Sequence, residues 1–146
     1  MFTYIMTKKE IAYFSAAAAV AELSDHPHYK LGAVIVHKHR IVSSGYNSLT
    51  RCHPIQAKLD TEKYGEPCPG KRHAESDAII PLLKDRSDYS GAVIYVARIL
   101  KNGHTAMARP CSSCEKLIRR LGIKKMYYTI PDGYAVERIN WLLKYY

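Results

Sequence analysis

The stretch His73-Ala74-Glu75, followed farther along the chain by Pro110-Cys111-Ser112-Ser113-Cys114, places a histidine, a carboxylate and two cysteines at short spacings. Each group is expected to open a helix, and Pro110 fits a helix start. The two cysteines are three positions apart, so their sulfur atoms share one face of the first turn. The partial positive charge of a helix N-terminus favours the thiolate form of such cysteines. We interpret the two groups as parts of one metal site.

The residue types suit a catalytic zinc. Thiolate and imidazole are zinc ligands, and a catalytic zinc keeps three protein ligands and a fourth position for water, whose pKa it lowers to about 7. The predicted ligands are His73, Cys111 and Cys114. Glu75 lies two residues past His73 and points away from the ligand direction, which makes it the predicted proton shuttle. A zinc of this kind with a non-ligand glutamate is the set that removes an amine from a nucleobase ring.

Each half of the pattern also has a simpler interpretation. A His-x-Glu pair is usually a surface helix pair, and a lone Cys-x-x-Cys is a redox motif or half of a structural zinc site. A non-catalytic, zinc-stabilised binding module is a further alternative. Glu75 discriminates against it, because a structural site normally has a fourth protein ligand and no use for that carboxylate.

Composition restricts the class of protein. The chain has 146 residues, 47% of them hydrophobic and 24% charged, which is ordinary for a soluble domain with a real core. No apolar run approaches the ~20 residues of a membrane span, and the start of the chain does not resemble a signal peptide. We therefore expect no membrane contact and a cytoplasmic location. The net charge of +9 favours phosphate-bearing partners, either nucleotides or nucleic acid, or else a solvated surface.

Hydrophobic patterning predicts alternating helices and strands around a mixed sheet with helices on both faces. Thr7-Lys8-Lys9-Glu10 is typical of a capping box that opens the first helix. Residues 47–72 contain three prolines and are predicted to form a long, irregular insertion loop near the pocket. The remaining predicted elements are a hairpin (31–37 and 40–46), a helix from 73 that Pro81 kinks or ends, a strand (92–98), a helix (111–121), a strand (124–130) and a terminal helix (134–146).

These residues resemble the cytidine deaminase superfamily, and most of all its deoxycytidylate (dCMP) deaminase branch. Beside the zinc motifs, Leu31-Gly32-Ala33-Val34-Ile35-Val36 resembles the family's first strand and Gly45-Tyr46-Asn47 the end of its second. The run from Cys114 to Lys125 resembles the passage from helix to strand after the second thiolate. The resemblance implies an α/β fold of three layers, α-β-α, with a mixed central sheet, and one zinc-dependent deaminase domain over 1–146.

The resemblance also implies an activity, which is hydrolytic deamination of a nucleotide base with Zn²⁺ as cofactor. The expected reaction is dCMP to dUMP with release of ammonia, in a homo-oligomer. Asn47 is expected to hydrogen-bond the substrate, Ala74 to lend its backbone amide, and Asp132 to occupy a substrate-side acidic position. Tyr128, near the expected pocket edge, is a further candidate because an aromatic ring there can stack on a base. The chain departs from the branch at Ser76-Asp77, where an apolar residue and asparagine are frequent.

Other interpretations stay open at this point. The charge of +9 favours a deaminase of tRNA or single-stranded nucleic acid as the second choice, and small-molecule deaminases of guanine or a pterin-like ring are further alternatives. Cys52 and Cys68 are candidates for a second metal site, although their spacing matches no compact ligand signature. Two interpretations stay open for the basic residues of the 47–72 segment: they bind a substrate phosphate, or they form a solvated surface. These residues are Arg51, Lys58, Lys63, Lys71 and Arg72. Arg109 and His104 are candidates for the pocket mouth.

Overall fold

The computed structural model describes residues 6–65 and 72–139. Within these ranges, elements are numbered in chain order. The helices are α1 (Lys8–Ala21), α2 (Pro54–Tyr64), α3 (Ala74–Asp85) and α4 (Ser112–Leu121). The strands are β1 (Lys30–His37), β2 (Arg40–Tyr46), β3 (Val93–Ile99), β4 (Thr105–Ala106), β5 (Lys125–Ile130) and β6 (Gly133–Arg138).

The strands form one mixed sheet in the order β2-β1-β3-β5-β6, with the short β4 paired to β3. Among the strands of the described residues, only β3 and β5 run parallel, and α4 is the crossover that such a pair requires. The other neighbours are antiparallel. The predicted mixed sheet is therefore confirmed.

Alternation along β1 explains why helices cover both faces. Ala33 and Ile35 belong to the core beneath α3 and α4, whereas Val34 and Val36 pack towards α1. In the same way Tyr127 and Tyr128 lie on opposite faces of β5, and both are buried. The three-layer α-β-α arrangement predicted from the family resemblance is thus confirmed.

Two glycines let helices lie directly on strand backbone. A Cβ added to Gly45 in β2 would lie 2.5 Å from the carbonyl oxygen of Ala74 and 2.5 Å from the amide nitrogen of Ala78. A Cβ added to Gly32 in β1 would lie 2.1 Å from the carbonyl oxygen of Ala17 in α1. Because the Ala74 contact lies in the first turn of α3, Gly45 sets the height of that turn above the sheet.

The prediction of an irregular segment over residues 47–72 is wrong for Pro54–Tyr64, which form α2. Pro54 occupies the first turn, where its missing N–H costs nothing, and Gly65 ends the helix in the left-handed region at a φ of 78°. Ile55 and Leu59 pack against the core. Tertiary packing therefore makes a helix from a stretch whose prolines suggested a loop.

The predicted terminal helix is also wrong where the structure describes it, because residues 133–138 form β6. The strand follows a turn at Pro131 and Asp132, and Ala135 is buried in the core. Residues 140–146 lie outside the described ranges. Helix α3 continues through Pro81 to Asp85, so this proline does not end it. Among the described helices, none has the length and apolar character needed to cross a membrane.

Candidate active site

The sequence motifs meet at the adjacent N-termini of α3 and α4. His73 and Cys111 are the N-cap residues, both with extended backbone, and Cys114 follows in the first turn of α4. The Nδ1 atom of His73 lies 3.2 Å from the Sγ of Cys114 and 3.5 Å from the Sγ of Cys111. In the part of the chain that the structure describes, these residues form the one cluster of three or more His, Cys, Asp or Glu side chains arranged to hold a metal ion.

The separations between these donor atoms fit zinc. With Zn–S near 2.3 Å and Zn–N near 2.0 Å, two corners of a tetrahedron lie about 3.6 Å apart. The measured 3.2 and 3.5 Å fall close to that edge. One imidazole and two thiolates also form the mixed nitrogen and sulfur set that zinc prefers, with one position left for a non-protein ligand.

Hydrogen bonds within the cluster shift the pKa values of its three members. The hydrogen bond from the Cys114 thiol, reinforced by His73, lowers the pKa of Cys111 to about 3. The bond between His73 and Cys111 raises the pKa of His73 to about 9. A separate bond between Cys114 and Cys111, together with burial, raises the pKa of Cys114. A thiolate is the form of cysteine that binds metals, so the lowered pKa of Cys111 suits its role as a ligand.

Glu75 lies beside this cluster in the wall of a cavity of about 340 Å³. Its side chain is buried, and burial raises the pKa of the carboxyl group against the opposing attraction of His73. A carboxyl group whose pKa moves towards neutrality can both accept and donate a proton. The residues that line the cavity are His26, Tyr29, Leu31, Asn47, Ser48, Leu49, Arg72, His73, Ala74, Glu75, Arg109 and Cys111.

Two further predicted site residues, Asn47 and Ala74, line the same cavity. The Oδ1 atom of Asn47 accepts from the Leu31 amide at 2.9 Å, and its Nδ2 donates to the Tyr29 carbonyl at 3.1 Å. A side-chain amide has two donors and two lone pairs, so capacity remains for a ligand. Ala74 is the first residue of α3, where an N–H has no carbonyl partner within its own helix.

The structure does not bring Tyr128 or Asp132 to this cavity. Tyr128 is fully buried under α3 and α4, and its hydroxyl donates to Glu137 at 2.6 Å. Asp132 is exposed and pairs with His104 at 2.9 Å. Neither residue is among those that line the cavity; Asp132 lies in the turn between β5 and β6, and His104 lies in the loop between β3 and β4.

Arg72 and Arg109 do line the cavity, but carboxylates and carbonyls hold both guanidinium groups. Arg72 donates to the Tyr46 carbonyl and lies 3.3 Å from Asp77. Arg109 makes two bonds to Glu137, of 2.6 and 3.2 Å, and these bonds lower the pKa of the Glu137 carboxyl group. The Asp77 carboxylate also accepts a hydrogen bond from the Tyr46 amide. Asp77 is the position where the family frequently has asparagine, so the difference from the family pattern has a structural role.

Gln56, which no sequence motif indicates, connects α2 to the metal cluster. Its Oε1 accepts from the amide of His73 at 3.0 Å and from the hydroxyl of Ser76, and its Nε2 lies 3.3 Å from Asp60. Gln56, Ser76 and Asp60 are all buried. The bond to the His73 backbone holds the N-cap of α3 in place. No local motif signals this contact, because the partners lie on different helices.

We expect Gln56→Leu to weaken both folding and metal binding. The change leaves the His73 amide without an acceptor, which costs about 1–3 kcal/mol of unfolding free energy, whereas the Ser76 hydroxyl keeps its bond to the His73 carbonyl. Loss of a group that orients a metal ligand typically raises the zinc Kd about 10- to 100-fold. Urea unfolding and zinc competition against a chelator measure the two effects. Lys58→Leu, exposed on the same helix, is the matched control, and equal behaviour of the two variants would contradict the role of Gln56.

The second metal site predicted at Cys52 and Cys68 stays a prediction. Cys52 is half-buried next to the N-terminus of α2, and Cys68 lies outside the described residues. Arg51 is exposed and does not line the cavity. Lys71 lies outside the described residues.

The geometry agrees with a comparison of the sequence with known protein families. Residues 7–130 match the family described as the cytidine and deoxycytidylate deaminase zinc-binding region. The chain belongs to this family. Zinc is accordingly its metal, and the matched region contains His73, Cys111 and Cys114.

Individual deaminases show similarity along most of the chain. The human deoxycytidylate deaminase is 35% identical over 133 residues, covering 84% of this chain and 65% of the human protein. The deoxycytidylate deaminase of Mycobacterium phage D29 is 30% identical over 128 residues, covering 80% of this chain and 90% of the phage protein. The chain thus spans just under two thirds of the human relative.

Solved structures of the family share the fold. The dCMP deaminase from the cyanophage S-TIM5 superposes with a TM-score of 0.61 at 23% identity, covering 86% of each chain. Cytidine deaminase from Burkholderia pseudomallei gives a TM-score of 0.57 at 18% identity. The three-layer fold is therefore the deaminase fold.

Proposed function

We propose that this protein is a zinc-dependent deaminase that converts dCMP and water to dUMP and ammonia. The observation that carries the proposal is that the His-Cys-Cys cluster and the buried carboxyl group of Glu75 line one cavity. The human and phage relatives named deoxycytidylate deaminase support dCMP as substrate. The cyanophage protein has been solved in complex with dCMP and dUMP, in the same fold.

In the proposed mechanism, His73, Cys111 and Cys114 would hold zinc, which would supply a Lewis acid that lowers the pKa of water. Glu75 accepts the two protons of water one after the other, and delivers the first to ring N3 and the second to the departing amine. Water oxygen becomes the carbonyl at C4, and the exocyclic nitrogen leaves as ammonia. The raised pKa of Glu75 suits a group that must take up and release a proton in one cycle.

The wall of the cavity would orient the base. The amide of Ala74 and the spare donor of Asn47 offer hydrogen bonds to the substrate, while Leu31 and Tyr29 supply apolar surface. A cavity of about 340 Å³ is small, which favours a single nucleotide as occupant. The alternative polynucleotide substrate would have to insert one flipped base.

Ammonia release by zinc-loaded protein tests the proposal. We expect turnover of dCMP and, because charge-assisted bonds to a phosphate contribute about 1.5–3 kcal/mol each, a kcat/KM at least about 10-fold above that of deoxycytidine. CMP, adenosine, guanine and a short single-stranded oligonucleotide complete the panel. Turnover of deoxycytidine alone would overturn the assignment of dCMP. Turnover of the oligonucleotide alone would replace it with a polynucleotide substrate.

The homo-oligomer and the cytoplasmic location that the sequence predicts stay predictions. Light scattering on the purified protein measures the first, and fractionation of source cells measures the second. The single domain over 1–146 also stays a prediction.

A further inference from the structure

The end of the sheet opposite the catalytic cavity is strongly basic. The cavity lies where β1 begins and β2 ends, whereas β1 finishes in a tight turn at Lys38 and His39. Strand β5 begins, and β6 finishes, at this far end. We define the basic end as Lys9, Lys38, Arg40, Lys124, Lys125 and Arg138.

The six cations of the basic end form no ion pair with a carboxylate of the described residues. Among residues 6–65 and 72–139, none of them lies within 4.0 Å of a carboxylate, whereas Arg72, Arg109 and Arg119 all do. All but Lys125 are exposed. Two carboxylates lie nearby: Glu10 caps α1, and Asp88 accepts from the Ser90 amide within electrostatic reach of Lys38. Six cations against two carboxylates leave the basic end with a net positive charge.

The basic end contains a cavity as well as charge. A concavity of about 470 Å³ lies between the start of α1 and the turn that joins β1 to β2. Three lysines and one carboxylate line it, together with aromatic rings; they are Lys9, Lys38, Lys124, Glu10, Tyr13, His37 and His39. Cations and flat rings are thus presented side by side, and a flat surface of solvated lysines would not offer this combination.

The turn that carries Lys38 and His39 has an unusual conformation. Both residues have positive φ, 52° and 66°, in a two-residue hairpin position where Asn-Gly is the relaxed choice. The left-handed region costs a residue with a side chain roughly 1–2 kcal/mol. The hydroxyl of Tyr13 donates to the His39 carbonyl at 3.0 Å and helps to hold the turn. Two basic side chains are therefore kept at a strained position next to the concavity.

The row of cations matches a phosphate backbone in length. Five strands with a spacing of about 4.8 Å extend over about 19 Å, and a nucleic acid strand carries a charge about every 3.4 Å along its axis. About five phosphates fit along the row. A basic groove with rings on which bases stack is the usual arrangement for single strands.

We propose that the basic end binds the backbone of single-stranded nucleic acid. The eight residues of β1, at about 3.3 Å each, separate this surface from the catalytic cavity by about 26 Å. A bound strand therefore leaves the cavity accessible to a mononucleotide. This surface would attach the enzyme to nucleic acid without presenting that strand for deamination, and so goes beyond the proposed function.

The test is anisotropy of a fluorescein-labelled 15-nucleotide oligo(dT) with the full chain at increasing KCl. Thymine has no exocyclic amine, so the deamination chemistry is not probed. We expect log K to fall with log salt with a slope of about −3.5, from five contacts at about −0.7 each. Lys38→Glu with Lys124→Glu should weaken binding at least about tenfold and reduce the slope by about 1.4. Turnover of dCMP should be unchanged.

The control reverses two exposed lysines elsewhere, Lys58→Glu with Lys116→Glu, so that the net charge changes equally. Retained binding in this control supports the proposal. Equal weakening in both double variants, or no binding by the parent protein at low salt, would overturn it. Release of the oligonucleotide by inorganic triphosphate at an equal phosphate concentration would instead assign the surface to a small polyphosphate. Failure of dCMP turnover with intact binding would refute only the proposed function.

Discussion

Glu75→Gln is expected to lower kcat for dCMP by roughly 10²- to 10⁴-fold, the usual contribution of a positioned acid or base. Glutamine matches the size of the buried side chain but cannot carry a proton between water, N3 and the leaving amine. Zinc content should be unchanged, because the carboxyl group is not part of the His-Cys-Cys cluster. Steady-state ammonia release and metal analysis of the same sample measure both quantities.

The matched control for this experiment is Glu62→Gln, an exposed glutamate on α2. It changes the net charge by the same amount and should leave kcat unaffected. Thermal unfolding of the Glu75 variant should show a folded protein, because a neutral amide replaces a carboxyl group that is costly to bury in ionised form. A folded, zinc-loaded Glu75→Gln enzyme with parental kcat would assign the proton transfer to another group.

Cys114→Ser is expected to abolish dCMP turnover by removing the metal. Cys114 is fully buried between α3 and α4, and its Sγ is 3.2 Å from the His73 imidazole. A hydroxyl is a poor replacement for a thiolate ligand, so two protein ligands remain instead of three. The zinc Kd should rise by more than the 10- to 100-fold that loss of a hydrogen bond to a ligand causes. Chelator competition and zinc analysis provide the measurement.

Ser112→Ala on the same turn is the control, since Ser112 is exposed and outside the donor cluster. After removal of zinc with a chelator, added zinc should restore the activity of the parent and of this control. It should not restore the Cys114→Ser protein. If Cys114→Ser retained zinc with the parental Kd, the three-ligand site would be wrong.

The parts of the fold that local pattern determines could be predicted from the sequence. The apolar, valine- and isoleucine-rich run of β1, the tight turn that leads to β2, and the capping box of α1 are visible within a few positions. Helix α2 could not be predicted, because Ile55 and Leu59 become helical by packing on the core rather than from a strong periodic pattern of their own. Strand β6 was missed because its pairing with β5 is a tertiary contact.

In the candidate site, too, local motifs could be predicted from the sequence and tertiary contacts could not. The metal cluster and Glu75 follow from two short motifs, each at the start of a helix. The hydrogen bonds that Gln56 accepts from His73 and Glu137 accepts from Arg109 join residues far apart in sequence, so no local spacing indicates them. Tyr128 was expected at the pocket because of its chemistry, but the pleat of β5 turns its ring into the core.

The contact between Gly45 and α3 has a consequence for protein engineering. Because backbone touches backbone there, any side chain at position 45 would lift the first turn of α3, and His73 and Glu75 with it. Mutant libraries aimed at new substrates should therefore keep Gly45 and Ala74 constant. Substitutions should instead be made at His26, Tyr29 and Leu49, which line the cavity and lie outside the helices and strands. Changes there alter the shape of the cavity without moving the catalytic groups.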